Sequence, residues 1–235
     1  MATDLIFDFF GTLVKYESGV FHSAPYSRTY DYLLDRGFIL SYEAFTNGFE
    51  TATHTLETHA QLTGEEYHMN DLAKLFFHAN LATEATEECV NSFVKAFIEE
   101  WGRGIVHFAG IVELMERLAS KHRLSILSNT NYPPLIHDNL RAMGIASHFS
   151  EVFTSVEIGV RKPYSAIFES SIEQLSISAY EAIYIGDTYR VDYQGATSAG
   201  MRCILIDQKR EHLDVADRID SLFELEQKLV SLNLK

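Results

Sequence analysis

Residues 5–14 read LIFDFFGTLV, and this stretch decides the fold that we predict. Its short apolar run at residues 5–7 is followed by Asp8 and Gly11, which is typical of a buried parallel strand that ends in a turn. Similar apolar runs return later in the chain, at residues 124–127 (LSIL), 182–185 (AIYI) and 203–206 (CILI). We therefore predict four buried strands.

Helical patterns separate the late strands, at residues 111–120, 136–143, 165–175 and 193–199. Strand and helix thus alternate, which predicts an α/β fold with a doubly wound parallel sheet. Ligands bind such sheets beyond the carboxyl ends of the strands. Asp8, Ser128 and Asp187 follow three of the predicted strands, so we expect these side chains to meet at one edge of the sheet.

The stretch between the first strand and the others breaks this alternation. It is helical in pattern throughout, at residues 23–36, 41–59, 64–80 and 87–100. Because it is too long for a loop, we predict a helical domain at residues 16–105, inserted into a core domain of residues 1–15 and 106–235. An insert that begins just past a reactive strand end is expected to act as a lid.

The charge balance limits the partners that we expect. The 235 residues include 33 acidic and 19 basic ones, a formal net charge of −14. Such a surface repels phosphate backbones and anionic lipids, so we expect neither a nucleic-acid partner nor a membrane role. An anionic small-molecule substrate would need a local attraction, such as a metal ion or a placed lysine.

Several features favour the cytoplasm. No apolar run has the length of a membrane span. The first residues, MATDLIFDFF, lack the basic start of a signal peptide. Cys89 and Cys203 are too few for a disulfide scaffold, and we expect two buried, reduced thiols. We expect a cytoplasmic monomer or homodimer.

Two strand ends carry groups suited to catalysis. Asp8 is followed by Gly11 and Thr12, where glycine permits a sharp turn and threonine can hydrogen-bond back to the loop. Ser128 and Asn129 offer a hydroxyl and backbone amides that could hold an anion. Taken alone, each segment is read more simply as an ordinary turn after a strand.

The second half of the chain adds a cation and two more acids. Lys162, in the string RKP, is a point charge suited to steadying a phosphate or carboxylate, although alone it is read more simply as a solvated surface residue. Residues 183–196 read IYIGDTYRVDYQGA. Asp187 and Asp192 in this segment can hold Mg²⁺, a hard ion that takes oxygen ligands. An acidic turn is the structural alternative.

The order and spacing of these segments resemble the haloacid dehalogenase superfamily. LIFDFFGTLV is similar to its first motif, ILSNT to the second, RKPYSAIF to the third and IGDTYRVD to the fourth. The resemblance covers the whole chain, including a helical cap placed after the first motif. It implies a Rossmann-like core with an inserted α-helical cap domain.

The resemblance also implies roles for individual residues. Asp8 would be a nucleophile that forms a covalent aspartyl intermediate, which water then hydrolyses. Lys162 would neutralise charge on nucleophile and substrate, and Thr12 would support the nucleophile loop. The implied substrate-binding residues are Ser128, Asn129 and Lys162. The implied Mg²⁺ ligands are Asp8, the backbone carbonyl of Phe10, Asp187 and Asp192.

Phe10 departs from the pattern of the family's phosphatases. They carry a second aspartate at this position, which protonates the leaving alcohol and later activates water. General acid–base help of this kind is worth about 10²–10⁴ in rate, and phenylalanine supplies none of it. The 2-haloacid dehalogenases have an aromatic residue here in a similar string, and phosphonatases have a small one. Acyl phosphates and other anhydrides also have leaving groups that need no proton.

The fourth motif separates these alternatives. Dehalogenases use no metal and have a Ser-Asn type sequence where this chain has Gly186-Asp187. Three carboxylates around one lysine demand a further cation, which predicts Mg²⁺ and favours phosphoryl transfer. A phosphonatase would need a cap lysine, and Lys74 and Lys95 look like outward helix residues. Dehalogenase chemistry, or a binding protein with weak turnover, stays open as an alternative.

Overall fold

The computed structural model describes residues 4–17, 26–81 and 85–232. Its strands are β1 (Asp4–Phe7), β2 (Val14–Tyr16), β3 (Ile105–His107), β4 (Arg123–Ser128), β5 (Phe149–Thr154), β6 (Ala182–Gly186), β7 (Arg202–Ile206) and β8 (Arg218–Ile219). Its α-helices are α1 (Ser27–Asp35), α2 (Tyr42–Thr63), α3 (Met69–Leu81), α4 (Glu87–Gly102), α5 (Ile111–Ala119), α6 (Pro134–Met143), α7 (Ser155–Ile158), α8 (Ser165–Leu175), α9 (Gly195–Ser198) and α10 (Leu225–Ser231). The chain divides into two compact units, Tyr16–Val106 and Met1–Lys15 with His107–Lys235.

A six-stranded sheet forms the centre of the second unit. Its order is β5-β4-β1-β6-β7-β8, and all neighbouring strands are parallel. The order runs outward in both directions from β1, whose residues are all buried. The predicted α/β fold with a doubly wound parallel sheet is therefore confirmed. Short strands β2 and β3 pair separately.

Several elements of this unit differ from the sequence prediction, among them two strands and one helix of the region around the sheet. β5 and β8 were not predicted, because β5 exposes polar residues at one edge of the sheet and β8 is only two residues long. A helix was predicted at residues 193–199. The structure instead has a π-helical segment, Tyr189–Gln194, that runs into the short α9. Segments of π-helix are often found at functional sites.

Helices pack their apolar faces against the sheet. In α5 the buried residues recur at helical spacing, at Ile111, Leu114, Met115 and Leu118. In α8, Ile167 and Phe168 join a buried cluster that contains residues of β1, β4, β6 and β7. The packing of α8 fixes the segment before it, which carries Lys162.

The unit Tyr16–Val106 contains the helices α1 to α4, and the inserted domain at residues 16–105 stays a prediction. The predicted first helix began at residue 23, and residues 23–25 lie outside the described residues. The unit's core is aromatic: the buried rings of Phe76, Phe77 and Phe93 contact one another, and that of Phe45 contacts Phe76. That this unit acts as a lid stays a prediction.

A buried carboxylate holds the start of α1. Glu100 of α4 accepts hydrogen bonds from the backbone N–H groups of Arg28 (3.2 Å) and Thr29 (2.9 Å) and from the Thr29 hydroxyl (2.7 Å). The first amides of a helix have no partners within the helix, so Glu100 supplies acceptors that α1 itself lacks.

The two cysteines, which we expected to be buried, differ in their exposure. Cys203 is buried as expected, whereas Cys89, in the first turn of α4, is only half-buried. Among the residues that the structure describes, no helix combines the length and the apolar character that crossing a membrane requires.

Candidate active site

Neighbouring strands bring three of the predicted site residues together. β1 lies between β4 and β6 in parallel register, with Phe7 opposite Ile126 and Ile185. The residues that follow these strand ends therefore share one edge of the sheet. Asp8 continues the ladder, since its N–H donates to the carbonyl of Ile185 at 2.8 Å.

The two oxygens of the Asp8 carboxylate differ in environment. Oδ1 accepts hydrogen bonds from the Ser128 hydroxyl (2.9 Å) and from Nζ of Lys162 (2.7 Å). Oδ2 accepts none from the described part of the chain. Burial raises the pKa of Asp8, while the Lys162 ammonium acts against that shift. One oxygen is thus held in place, and the other is left for a ligand or substrate.

Lys162 is a buried ammonium with three chain partners. Nζ lies 2.7 Å from Asp8 Oδ1, 2.7 Å from Asp192 Oδ1 and 2.7 Å from the Tyr184 hydroxyl. Burial opposes the charge, but the carboxylates of Asp192 and Asp8 raise the pKa of Lys162. The lysine therefore stays charged and offsets the acids beside it.

Asn129 holds the backbone of Lys162 from both sides. Its side-chain N–H donates to the Lys162 carbonyl at 3.0 Å, and its carbonyl oxygen accepts from the Lys162 N–H at 2.8 Å. The amide is thus engaged in positioning Lys162. The predicted contact of Asn129 with substrate stays a prediction.

Both oxygens of Asp192 have partners in the chain. Oδ1 accepts from Lys162, and Oδ2 accepts from the N–H of Thr188 at 2.9 Å. A Cβ on Gly186 would lie 2.5 Å from both Cβ and Cγ of Asp192, so glycine is required there for Asp192 to approach. Asp192 lies at the end of the segment that begins at Asp187. It is buried, with 1% of its surface exposed.

Asp187 is more accessible than the other two acids. It is half-buried, and its Oδ1 lies 3.4 Å from the Thr188 hydroxyl. Burial, and then the charges of Asp8 and Asp192, raise the pKa of Asp187 to about 7. Gly11, at φ +90°, leaves room for it, since a Cβ there would lie 2.3 Å from Asp187 Oδ2.

The three carboxylates form a set of oxygen donors that fits a hard cation. Asp8, Asp187 and Asp192 each offer an oxygen within 4.8 Å of the others. Mg²⁺ prefers such ligands, and one Lys162 ammonium leaves an excess of negative charge among them. Burial is the largest cause of the raised pKa of Asp187, and the charges of Asp8 and Asp192 add to it.

The remaining predicted residues lie in the loop after Asp8. Phe10 is half-buried and makes an edge contact with Phe9, with ring centroids 5.0 Å apart. The hydroxyl of Thr12 is buried and has no hydrogen-bond partner among the described residues. The backbone supports the loop, through Gly11 N–H to Val14 carbonyl (2.7 Å). The hydrogen bond back to the loop that the residue type suggested for Thr12 is therefore absent from the described contacts, and the support that the resemblance implies for Thr12 stays a prediction.

Sequence reasoning missed Tyr184. It lies within an apolar run and was interpreted only as a strand residue, yet its hydroxyl contacts both Lys162 and Asp192. A signal was available, because a tyrosine in a fully buried strand needs a hydrogen-bond partner for its hydroxyl. His212 was also not predicted, and its ring stacks on Tyr189 with centroids 4.0 Å apart.

Comparison with known proteins gives the family. Residues 5–200 match the family described as haloacid dehalogenase-like hydrolase. The chain is 33% identical over 105 residues to haloacid dehalogenase-like hydrolase domain-containing protein 3 of Danio rerio, which covers 43% of each chain. It is 29% identical over 138 residues to phosphoserine phosphatase of Thermus thermophilus, covering 56% of this chain and 55% of that one. The matches thus span about half the length of these relatives.

A solved structure shows the same fold. The 2-haloacid dehalogenase from Pseudomonas syringae pv. Tomato DC3000 superimposes with a TM-score of 0.73 at 19% identity, covering 99% of this chain and 100% of that one. The family match includes the strand ends that carry Asp8, Ser128 and Asp187, together with the segment of Lys162. The chain belongs to the haloacid dehalogenase-like hydrolases.

Proposed function

We propose that this hydrolase is a Mg²⁺-dependent phosphatase that acts on small anionic molecules through Asp8. The observation that carries the proposal is the asymmetric Asp8 carboxylate, with Oδ1 held by Ser128 and Lys162 and Oδ2 left without a chain partner among the described residues. A fixed carboxylate with one available oxygen is the geometry that nucleophilic catalysis requires.

The proposed reaction has two steps. Asp8 Oδ2 attacks the phosphorus, a new O–P bond forms, and the bond from phosphorus to the leaving oxygen breaks with its electron pair on that oxygen. Water then attacks the phosphorus of the aspartyl phosphate, which releases phosphate and restores the Asp8 carboxylate. Lys162 offsets the charge of Asp8, so that an anionic substrate can approach it.

We infer that Mg²⁺ is held by Asp8 and Asp187, with the backbone carbonyl of Phe10 as a further donor. Each oxygen of Asp192 already accepts a hydrogen bond within the chain. Asp192 therefore suits either of two roles, direct coordination of Mg²⁺ or support of the groups around it. A bound Mg²⁺ would supply positive charge that draws in the phosphoryl group and stabilises charge that develops on it.

Phe10 narrows the substrate class that we propose. It offers no proton to the leaving oxygen, so substrates whose leaving group departs as a stable anion are favoured. Acyl phosphates and activated esters meet this condition. We therefore expect acetyl phosphate to be a better substrate than an alkyl phosphate monoester. The phosphoserine phosphatase among the relatives supports phosphate chemistry.

The second candidate is carbon–halogen hydrolysis, which Phe10 favours because halide leaves without a proton. The carboxylates of Asp187 and Asp192 argue against it, since they add negative charge around an anionic haloacid. A third possibility is a binding protein on the same scaffold with little turnover. A cytoplasmic location and a monomeric or homodimeric state stay predictions.

Phosphate release tests the proposal directly. We expect Mg²⁺-dependent release from acetyl phosphate and p-nitrophenyl phosphate that is abolished in Asp8→Asn and retained in Asp138→Asn, a change at an exposed aspartate. Phe10→Asp should raise turnover of alkyl monoesters. Halide release from 2-chloropropionate without metal, together with no phosphate release, would favour the second candidate, a dehalogenase. Turnover of neither class would leave the binding protein.

A further inference from the structure

The hydroxyl of Tyr184 lies among the charged side chains of the candidate site, between Lys162 and Asp192. It lies on β6 opposite Ile6 of β1, and none of its surface is exposed. The Phe168 ring of α8 makes an edge contact with it, with centroids 5.2 Å apart and an interplanar angle of 81°. The ring is therefore held on its apolar side, and its hydroxyl has a fixed position.

The protons at this hydroxyl can be assigned. The Tyr184 hydroxyl has two acceptors within reach, the Leu127 carbonyl at 2.8 Å and Asp192 Oδ1 at 3.3 Å, and the much shorter distance assigns the phenol proton to Leu127. Lys162 Nζ, 2.7 Å away, can only donate, so the same oxygen accepts from it. Tyr184 thus links the ammonium to the carbonyl directly before Ser128.

The ammonium has no further proton to give in this arrangement. A lysine carries three N–H donors. Those of Lys162 go to Asp8 Oδ1, Asp192 Oδ1 and the Tyr184 hydroxyl, each at 2.7 Å. The third partner helps to fix the position of the ammonium, because the two carboxylates alone would leave one of its N–H groups without an acceptor.

We propose that Tyr184 is a positioning residue that anchors the Lys162 ammonium between Asp8 and Asp192. This inference rests on the proposed function, since it assigns Lys162 to the nucleophile of that reaction. The hydroxyl keeps Lys162 beside Oδ1 of Asp8, so that Oδ2 faces the reacting group.

Nuclear magnetic resonance tests the anchoring without any substrate. In protein labelled with ¹⁵N-lysine, the buried Lys162 ammonium should give a protected signal, assigned by its loss in Lys162→Met. In Tyr184→Phe its protons should exchange with water about tenfold faster or more, the loss of one hydrogen bond to a charged group. An unchanged exchange rate would overturn the anchoring. Tyr180→Phe, at an exposed tyrosine, is the matched control.

Kinetics tests the consequence for the reaction. With acetyl phosphate and Mg²⁺, Tyr184→Phe should lower kcat by about tenfold and leave KM within about twofold, because Tyr184 acts on the nucleophile. A changed KM with unchanged kcat would mean that Tyr184 acts on substrate binding and not on the nucleophile, and it would overturn the proposal. If the wild type releases no phosphate, the proposed function fails, and the exchange measurement alone decides the anchoring.

A conservative variant guards against misfolding. 3-Fluorotyrosine at position 184 keeps the ring and hydroxyl, so it should retain wild-type kcat while shifting the Lys162 ammonium signal. If the fluorinated protein retains kcat and Tyr184→Phe loses it, the loss is due to the missing hydroxyl and not to altered packing of the ring. If Tyr184→Phe does not fold, an ammonium signal that fluorination does not shift would overturn the proposal, and a shifted signal supports it.

Discussion

A Lys162→Met substitution should destabilise the protein strongly, although the side chains are similar in length. The Lys162 side chain is 2% exposed, and its ammonium forms ion pairs with Asp8 and Asp192 at 2.7 Å each. Methionine would leave both carboxylates buried without their cation. Breaking a buried pair in this way costs about 3–5 kcal/mol of the free energy of unfolding.

Urea unfolding followed by circular dichroism measures this loss. The total stability of a domain is about 5–15 kcal/mol, so the variant should still be folded in water. Lys121→Met is the matched control, because the Lys121 side chain is 60% exposed and pairs with Glu226 at 3.6 Å. An exposed pair of this kind is worth about 0–1 kcal/mol.

Two results would refute the reasoning. A loss in Lys162→Met no larger than that in Lys121→Met would mean that the ammonium does not offset buried charge. Acidification offers the second check, because a carboxylate left without its cation takes up a proton more readily. The difference in stability between Lys162→Met and the wild type should therefore shrink as the pH falls. A difference that does not change with pH would contradict the account.

Three further predictions concern other parts of the molecule. Gly186→Ala should lower kcat and should lower the free energy of unfolding by about 1–3 kcal/mol, because the added Cβ would lie 2.5 Å from Asp192. Unchanged kinetics would contradict this prediction. Glu100→Gln should cost about 1–3 kcal/mol in urea unfolding by leaving an amide of α1 unpaired, whereas Glu99→Gln, at an exposed residue, should cost little. Without a cation, the pKa of Asp187 is about 7 in the folded chain, against its ordinary value of 3.8. Between these two pH values the folded chain holds a proton that the unfolded chain has lost. The free energy of unfolding therefore falls as the pH rises through that window. Mg²⁺ should therefore raise the thermal midpoint more above this window than below it, at matched ionic strength, and equal shifts would count against the metal site.

The strands of the central sheet were predictable where both faces are buried. β1, β4, β6 and β7 read as nearly continuous apolar runs, and each was predicted within a residue or two. β5 could not be found in this way, because it exposes polar residues at the edge of the sheet. Its place depends on pairing with β4, which is a tertiary contact.

The candidate site was predictable in its composition and less so in its geometry. Asp8 and Asp187 follow the ends of β1 and β6, and Ser128 is the last residue of β4, so the parallel sheet alone predicts their meeting. The partners of Asn129 and of the Tyr184 hydroxyl depend on how segments distant in sequence pack, and no local pattern encodes them. A residue's type was therefore easier to predict than the atom that it contacts.

Chemical trapping of the intermediate tests the central claim most directly. An acyl phosphate on Asp8 can be reduced by borohydride to homoserine, which mass spectrometry of the peptide around residue 8 detects. After a quench during turnover of acetyl phosphate with Mg²⁺, we predict homoserine at position 8 and none without substrate. Unmodified Asp8 under conditions where phosphate is being released would contradict the account.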